Sequence, residues 1–343
     1  MKKIIIGVLL LLLLIAGYIG LNKYNAVFTP NVPDTLSSDI LEIPTGSDYL
    51  TVKGLLVKNG MLIDTTDFDW LAERMKYRKT SMRSGRFKIQ PGWSNRELIG
   101  HLRNGKQAPV NVVLNNERLL EEVAGKVARF IEADSLSLIS LFNDRKQLDK
   151  LGVDRANLMT LFIPNTYEFF WNQSATDFLA RMKKEHEKFW SKNNRKSKAT
   201  AQDMSPSEVY TLASIVERES LRDDERPRIA GVYLNRLEKG ILLQADPTVV
   251  FATGQFDLRR VLHKHLAYDS PYNTYMYAGL PPGPISMASI SSIDAVLNPE
   301  EHQYIFFVAK GDGSGAHSFA KTMAGHSQNI RVYKKNLRRR GLR

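Results

Sequence analysis

Directly behind Met1, Lys2 and Lys3, the chain carries eighteen consecutive uncharged residues, Ile4 to Leu21. As a helix that run is about 27 Å long, close to the roughly 30 Å hydrocarbon layer of a bilayer. A segment of this kind either spans a membrane or is removed at one, so the bulk of the chain is expected to work outside the cytoplasm. A cleavage site would need small residues two apart. The pairs Ala16/Tyr18, Tyr18/Gly20, Gly20/Asn22 and Tyr24/Ala26 do not supply them. Lys2, Lys3 and the terminal amine outnumber Lys23 on the far side, which predicts a cytoplasmic amino terminus and an exported remainder. We therefore expect an uncleaved single-pass anchor over 1–22, with a cleaved signal as the alternative.

Beyond the anchor the chain has a globular composition. At 343 residues, with 43% hydrophobic and 24% charged side chains, it can bury real cores, and it is long enough for two of them. The absence of cysteine excludes disulfides, thiolate metal sites and a cysteine nucleophile. The net charge of +12 is local. Arg331 to Arg343 hold seven Lys/Arg and no acid; Lys183 to Lys198 hold seven against Glu185 and Glu187. These two segments account for the whole excess. A nucleic-acid binder needs a basic face that belongs to the fold, so no nucleic-acid partner is expected. Anionic lipid heads, an acidic polymer, or simple solvation of the tail suit this placement.

Residues 23–40, polar and containing Pro30 and Pro33, read as a stalk. A small α+β module occupies 41–108. It contains a short strand, a turn at Thr45-Gly46-Ser47, a helix ended by Gly60, a second helix near 67–76, a strand at 86–89, and a third helix capped by Ser94 and Glu97 and ended by Gly105. Residues 109–343 read as a larger mixed α+β domain with its core at about 205–330. It includes a basic helix near 183–198 and a polar linker at 196–207.

Ser205-Pro206-Ser207-Glu208 is a capping box with proline at the first helical position, so a helix starts there and its phase is fixed. At 100° per residue, with Leu212 at 0°, Ile215 falls at 300°, Val216 at 40° and Glu219 at 340°, whereas Glu217 falls at 140°. Glu219 therefore lies in the middle of the apolar stripe, and Glu217 suits solvent or a salt bridge. Burial disfavours the ionised carboxyl and raises its pKa, as a general acid for a glycosidic oxygen requires. The structural alternative is a buried ion pair with Arg222, Arg226 or Arg228.

Downstream, a helix over about 224–238 precedes three loops: Leu243 to Thr248, Ser270 to Tyr275 and Gly279 to Pro284. Their mixture of aromatic, amide and hydroxyl groups suits sugar recognition, although tyrosine and proline can also simply stiffen connections. His263 and His265 are two apart, wrong for a helical zinc pair, and His317 and His326 read as loop hydrogen-bonders. Gly311 to Gly315 lacks the Lys-Ser/Thr of a phosphate loop and reads as a hairpin turn.

Taken in order, Leu212 to Ser220 (LASIVERES), Leu243 to Val249 (LQADPTV), Tyr272-Asn273-Thr274-Tyr275 and Gly279-Leu280-Pro281-Pro282-Gly283 resemble the motifs of the endolytic murein transglycosylases, the MltG or YceG-like family. Ile163-Pro164-Asn165-Thr166-Tyr167 stands where that family usually has Phe-Pro-Asp-Thr-Tyr. The resemblance implies a bacterial inner-membrane lyase facing the periplasm. Such an enzyme cleaves nascent peptidoglycan strands between N-acetylmuramic acid and N-acetylglucosamine and leaves 1,6-anhydromuramyl ends. It implies Glu219 as the catalytic residue, in agreement with the helical phase, and a LysM-like character for 41–108. It also implies glycan strands as partner, with peptidoglycan synthases as candidates, and neither metal nor cofactor. Gln244, Asp246, Tyr272, Asn273 and Tyr275 are expected to position the sugar. The rival readings are a hydrolytic muramidase with Asp246 as second carboxylate, and a non-catalytic, membrane-tethered glycan-binding scaffold.

Overall fold

The computed structural model describes residues 1–258 and 260–342 and divides into two compact units. The first comprises 1–111, 130–133 and 168–174; the second comprises 112–129, 134–167 and the chain from 175 onward. Each is mixed α and β, as the sequence predicts, and among the described residues every sheet is a strand pair: β1–β2, β3–β4 and β5–β6.

The first unit opens with α1 (Lys2–Phe28), long and apolar enough to cross a membrane. The helix outruns the uncharged segment because nothing in Asn22 to Phe28 breaks it. Its last turn is already part of the unit: Ala26 is buried, and its carbonyl accepts a hydrogen bond from Asn95 Nδ2 at 2.9 Å. The segment expected to be a stalk is partly core as well. Val32 is fully buried, and the Asn31 and Val32 amides both donate to the Trp93 carbonyl at 2.9 Å. Asn31 Nδ2 donates to Asn95 Oδ1 at 2.6 Å and to the Asp64 carbonyl at 2.7 Å. Asparagine has both a donor and an acceptor to offer such a pocket, which is why a polar stretch can be interior.

Around that strap sit β1 (Ile40–Ile43), α2 (Tyr49–Lys58), α3 (Thr65–Arg74), β2 (Gly85–Lys88) and α4 (Asn95–Asn104). β1 and β2 pair antiparallel, Ile40 with Lys88 and Ile43 with Gly85. Asp48, Asp64 and Ser94 cap the three helices with their side chains, and Ser94 forms the expected capping box with Glu97. Leu41, Ile43, Val52, Leu56, Phe68, Phe87 and Leu98 fill the core.

The next elements are β3 (Val110–Leu114), α5 (Leu120–Val127), α6 (Ser135–Asn143), α7 (Arg145–Leu151), a 3-10 turn (Leu158–Leu161) and β4 (Asn165–Phe169). They lead to α8 (Ala175–Trp190), α9 (Arg195–Thr200), α10 (Pro206–Glu219), α11 (Arg226–Glu238), α12 (Asp246–Thr253), α13 (His263–Leu266), α14 (Ile290–Leu297), β5 (Phe306–Ala309), β6 (His317–Ala320) and α15 (Met323–Arg339). The second unit is organised on α10, whose residues 209–216 are all buried and which packs on α11 and α14. β5 and β6 form the hairpin predicted around 311–315, with Phe306 opposite Ala320.

Two expectations change here. The linker at 196–207 contains α9, and Arg195 at its start is buried, bidentate to Asp294 at 2.8 and 3.0 Å and 4.0 Å above the Phe189 ring. One cation of the basic segment is thus structural and unavailable to a lipid or polymer. The loop expected at 243–248 gives way to α12 from Asp246, because proline at the first helical turn costs no hydrogen bond and supplies the right φ. The basic tail rides on α15; Arg343 lies outside the described residues.

Candidate active site

Glu219 ends α10, half-buried and lining two clefts. Its Oε1 accepts a 2.6 Å hydrogen bond from the Tyr233 hydroxyl, which α11 delivers from a fully interior ring packed edge-on to Phe307. Burial pushes the Glu219 carboxyl up to about 7; the nearby Asp246 charge adds to the rise, while the Tyr233 bond and Arg236 oppose it. Arg236 does not cancel the effect because its fork is committed elsewhere. Nε donates to the Ile305 carbonyl at 2.7 Å, and Nη1 donates to the carbonyls of Leu242 and Leu243 at 3.0 and 2.8 Å. The structural alternative does not occur: Arg222 pairs with Asp224, Arg228 with Glu300, and Arg226 with Glu217 and Asp223. A carboxyl near neutral pKa with no ion-pair partner among the described residues can hold a proton and release it.

Glu217 is the opposite case. It takes the salt-bridge role, accepting from Arg226 Nη2 at 3.1 Å, Ser292 Oγ at 2.7 Å, the Ser289 amide at 3.2 Å and the Ser289 hydroxyl. Burial alone would raise its pKa, but these serine donors and Arg226 hold it below the ordinary value. It ties α10 to α11 and to the start of α14.

Two clefts meet at Glu219 and Asp246, which line both. The first, about 390 Å³, is walled by Tyr233, Arg236, Gln244 and Tyr275, by residues of β5, and by His317, Met323 and His326. The second, about 420 Å³, is walled by Arg118, Arg218, Phe251, Phe256, Arg260 and Ile285 among others. A third cavity of about 530 Å³ shares Arg118, Arg218 and Phe256 with the second. Asp246, in the first turn of α12, accepts from the Tyr275 hydroxyl at 2.6 Å. Gln244 has φ +51°, a left-handed conformation that costs a non-glycine residue roughly 1 kcal/mol or more. Its amide donates to the Thr274 carbonyl at 3.0 Å, which holds the turn.

The structure thus brings Gln244, Asp246 and Tyr275 to Glu219 and places Asn273 and Tyr272 outside the two clefts there. Asn273 is fully buried; its Nδ2 donates to the carbonyls of Leu266 and Tyr268 at 3.0 and 2.8 Å, and its Oδ1 accepts from the Tyr275 amide at 3.0 Å. It shapes the loop that presents Tyr275. Tyr272 packs on Phe251 with ring centroids 4.8 Å apart and lines neither cleft at Glu219. The loop from Gly279 to Pro282 lines a separate cavity of about 940 Å³ that does not include Glu219. Conversely, His317 and His326 wall the first cleft. His317 Nδ1 is 2.9 Å from Glu225 Oε2, and His326 stacks on Phe306 at 5.1 Å. β6 carries His317 there and α15 carries His326. Arg118, from the turn before α5, is another wall residue that the sequence did not single out.

Comparison with known proteins gives consistent likenesses. The model of the YceG-like family matches residues 41–332. An endolytic murein transglycosylase of Bacillus subtilis (strain 168) is 29% identical over 325 residues, covering 90% of this chain and 88% of that protein. One from Streptococcus pneumoniae serotype 2 is 26% identical over 370 residues, covering 96% of this chain but 65% of the longer relative. A crystal structure of a YceG-like protein from Listeria monocytogenes superposes with a TM-score of 0.57 at 28% identity, over 84% of this chain and 97% of that one.

Proposed function

Because the chain belongs to the YceG-like family, we propose that it is a lytic transglycosylase that cuts peptidoglycan strands internally, with Glu219 as its acid and base. The supporting observation is the Glu219 carboxyl itself: pushed up to about 7 by burial, bonded to Tyr233, and set where two clefts meet. Protonated Glu219 gives its hydrogen to the oxygen that joins muramic acid C1 to the next sugar, and the C1–O bond breaks. The muramyl C6 hydroxyl closes on C1, and its proton returns to the Glu219 carboxylate. Atoms balance without water, and the product is a 1,6-anhydromuramyl end. Glycosidases that hydrolyse require a second carboxylate to activate water or attack the sugar; a hydroxyl tethered to the reacting ring removes that requirement. Gln244, Asp246 and Tyr275 orient the sugar at the crossing of the clefts.

The relatives named endolytic murein transglycosylases support peptidoglycan as the substrate. α1 supports a single-pass anchor, and Lys2 and Lys3 support an amino terminus on the cytoplasmic side, with the catalytic unit outside. The module over 41–108 is assigned the LysM-like, glycan-holding part of the task.

The test uses the full chain on purified glycan strands. Glu219→Gln is expected to cut the release of anhydro-ended products by at least about a hundredfold, the usual scale for losing a general acid. Retained release overturns the proposal. A hydrolytic muramidase is the second reading, favoured only by the presence of Asp246 beside Glu219 in both clefts. Product mass decides it, since hydrolysis leaves an added water that anhydro ends lack. Strand binding with no cleavage at all would instead support a scaffold.

A further inference from the structure

Beyond the carboxyl pair, the second and third cavities are basic on one side and their charges are unevenly satisfied. Arg218 follows Glu217 on α10 and turns into the second and third cavities, where its Nε is fixed by Ser286 Oγ at 3.0 Å. Arg118 lies 4.5 Å over the Phe256 ring in the same two cavities, and the exposed Arg260 rims the second. Among the described residues no carboxylate comes within 4.0 Å of any of these three guanidinium groups. The acids of the third cavity are committed elsewhere. Glu117 pairs with Lys126, and Glu122 accepts from the Arg118 and Leu119 amides at 2.6 and 3.3 Å. Burial, and then the charge of Arg118, push the Arg218 guanidinium below its ordinary pKa, against the opposing charges of Glu217 and Glu122. A guanidinium with no carboxylate in hydrogen-bond contact is free to take one from a ligand, and its planar fork matches a carboxylate in two-point geometry.

Resting on the transglycosylase reading, we propose that this basic side is a carboxylate-binding subsite in which Arg118, Arg218 and Arg260 hold the peptide stem of the murein substrate. The stem leaves the lactyl group of the very sugar whose C1 reacts, so it must depart from Glu219 along a neighbouring channel. The second cleft contains both Glu219 and these arginines. The first cleft, walled by β5, Tyr275, His317 and Met323, offers no comparable set of unpaired arginines, since Arg236 there is held by carbonyls. The enzyme would then read the peptide-bearing muramyl residue and not merely the glycan backbone.

Binding can be measured without turnover in full-length protein carrying Glu219→Gln, purified in detergent, by calorimetry with three probes. These are a glycan tetrasaccharide with peptide stems, the same tetrasaccharide stripped of peptide, and a peptide-free one ending in a pyrophosphate. Stem-bearing probe is expected to bind about tenfold tighter than stripped probe, the scale of a charge-assisted two-point contact. Arg118→Gln should bring the ratio to about one, Arg118→Lys should keep part of it, and Arg260→Gln, on the exposed rim, should reduce it without touching a buried group. Equal binding of stem-bearing and stripped probes, equal weakening of both by Arg118→Gln, or an arginine-dependent gain with the pyrophosphate probe alone would overturn the assignment. Failure of the catalytic reading shows separately, as absence of anhydro-ended products from the unmutated chain.

Discussion

Glu217 and Glu219 stand two residues apart on one helix and respond to pH in opposite directions. The folded chain holds a proton on Glu219 up to about pH 7, whereas the unfolded chain loses it near 4.5, so this residue lowers stability as pH rises between those values. Glu219→Gln removes that dependence. The variant is expected to melt higher than the parent at pH 8, by roughly 2–4 °C for each kcal/mol gained, with the gap closing near pH 4.5. Glu217 is depressed and so contributes stability above the ordinary carboxyl range that is lost on acidification. Glu217→Gln breaks a half-buried pair with Arg226, a change of the type that costs up to about 3–5 kcal/mol when fully buried. A lower melting temperature with near-normal turnover per folded molecule is the expected pattern. Two further substitutions move the acid in opposite senses. Tyr233→Phe deletes a donor that favours the ionised form, so the alkaline limb of the pH–rate profile should move up. Asp246→Asn deletes a neighbouring negative charge, so it should move down. If Asp246 were instead a second catalytic carboxylate, its loss would abolish the reaction and not merely shift the limb. Glu219 was legible in the sequence because a capping box fixed the phase of α10. Asn273 was not, since a loop-building amide and a sugar-binding amide look alike until their partners are known.

At the scale of elements, α10 is where local chemistry and the proposed activity coincide. Ser205 accepts from the Glu208 amide at 3.2 Å, and Glu208 Oε2 accepts from the Ser205 amide at 2.8 Å. Ser205→Ala should cost about 1 kcal/mol, visible as a lower melting temperature, while the pH dependence of turnover stays where it was because the Glu219–Tyr233 bond lies at the other end of the helix. The capped helices were readable from sequence, α4 and α10 almost to the residue, since their signals sit in four neighbouring residues. α12 was missed because Asp246-Pro247 is both a loop signal and a helix start, and only the apolar residues after it, packing into the core, decide between them. The hairpin was legible but its place as the wall of the first cleft was not, because the hairpin and the helix after it fold back from about a hundred residues downstream.

For the molecule as a whole, composition suggested a boundary near residue 108, whereas the first unit runs to 111 and also takes in 130–133 and 168–174; in the segment read as a stalk, polar residues are engaged by Asn95, Asp64 and Trp93. Deleting residues 1–21 is therefore expected to leave the melting temperature of the remaining protein nearly unchanged. Deleting 1–32 strips Ala26 and Val32 from the core of the first unit and should lower it by several degrees, as loss of buried apolar side chains does. Calorimetry on the two truncations tests this directly. The same packing carries a mechanical consequence. A helix that ends inside a folded body leaves no slack cord beyond it, so with α1 embedded in a bilayer the first unit would ride hard against the lipid surface.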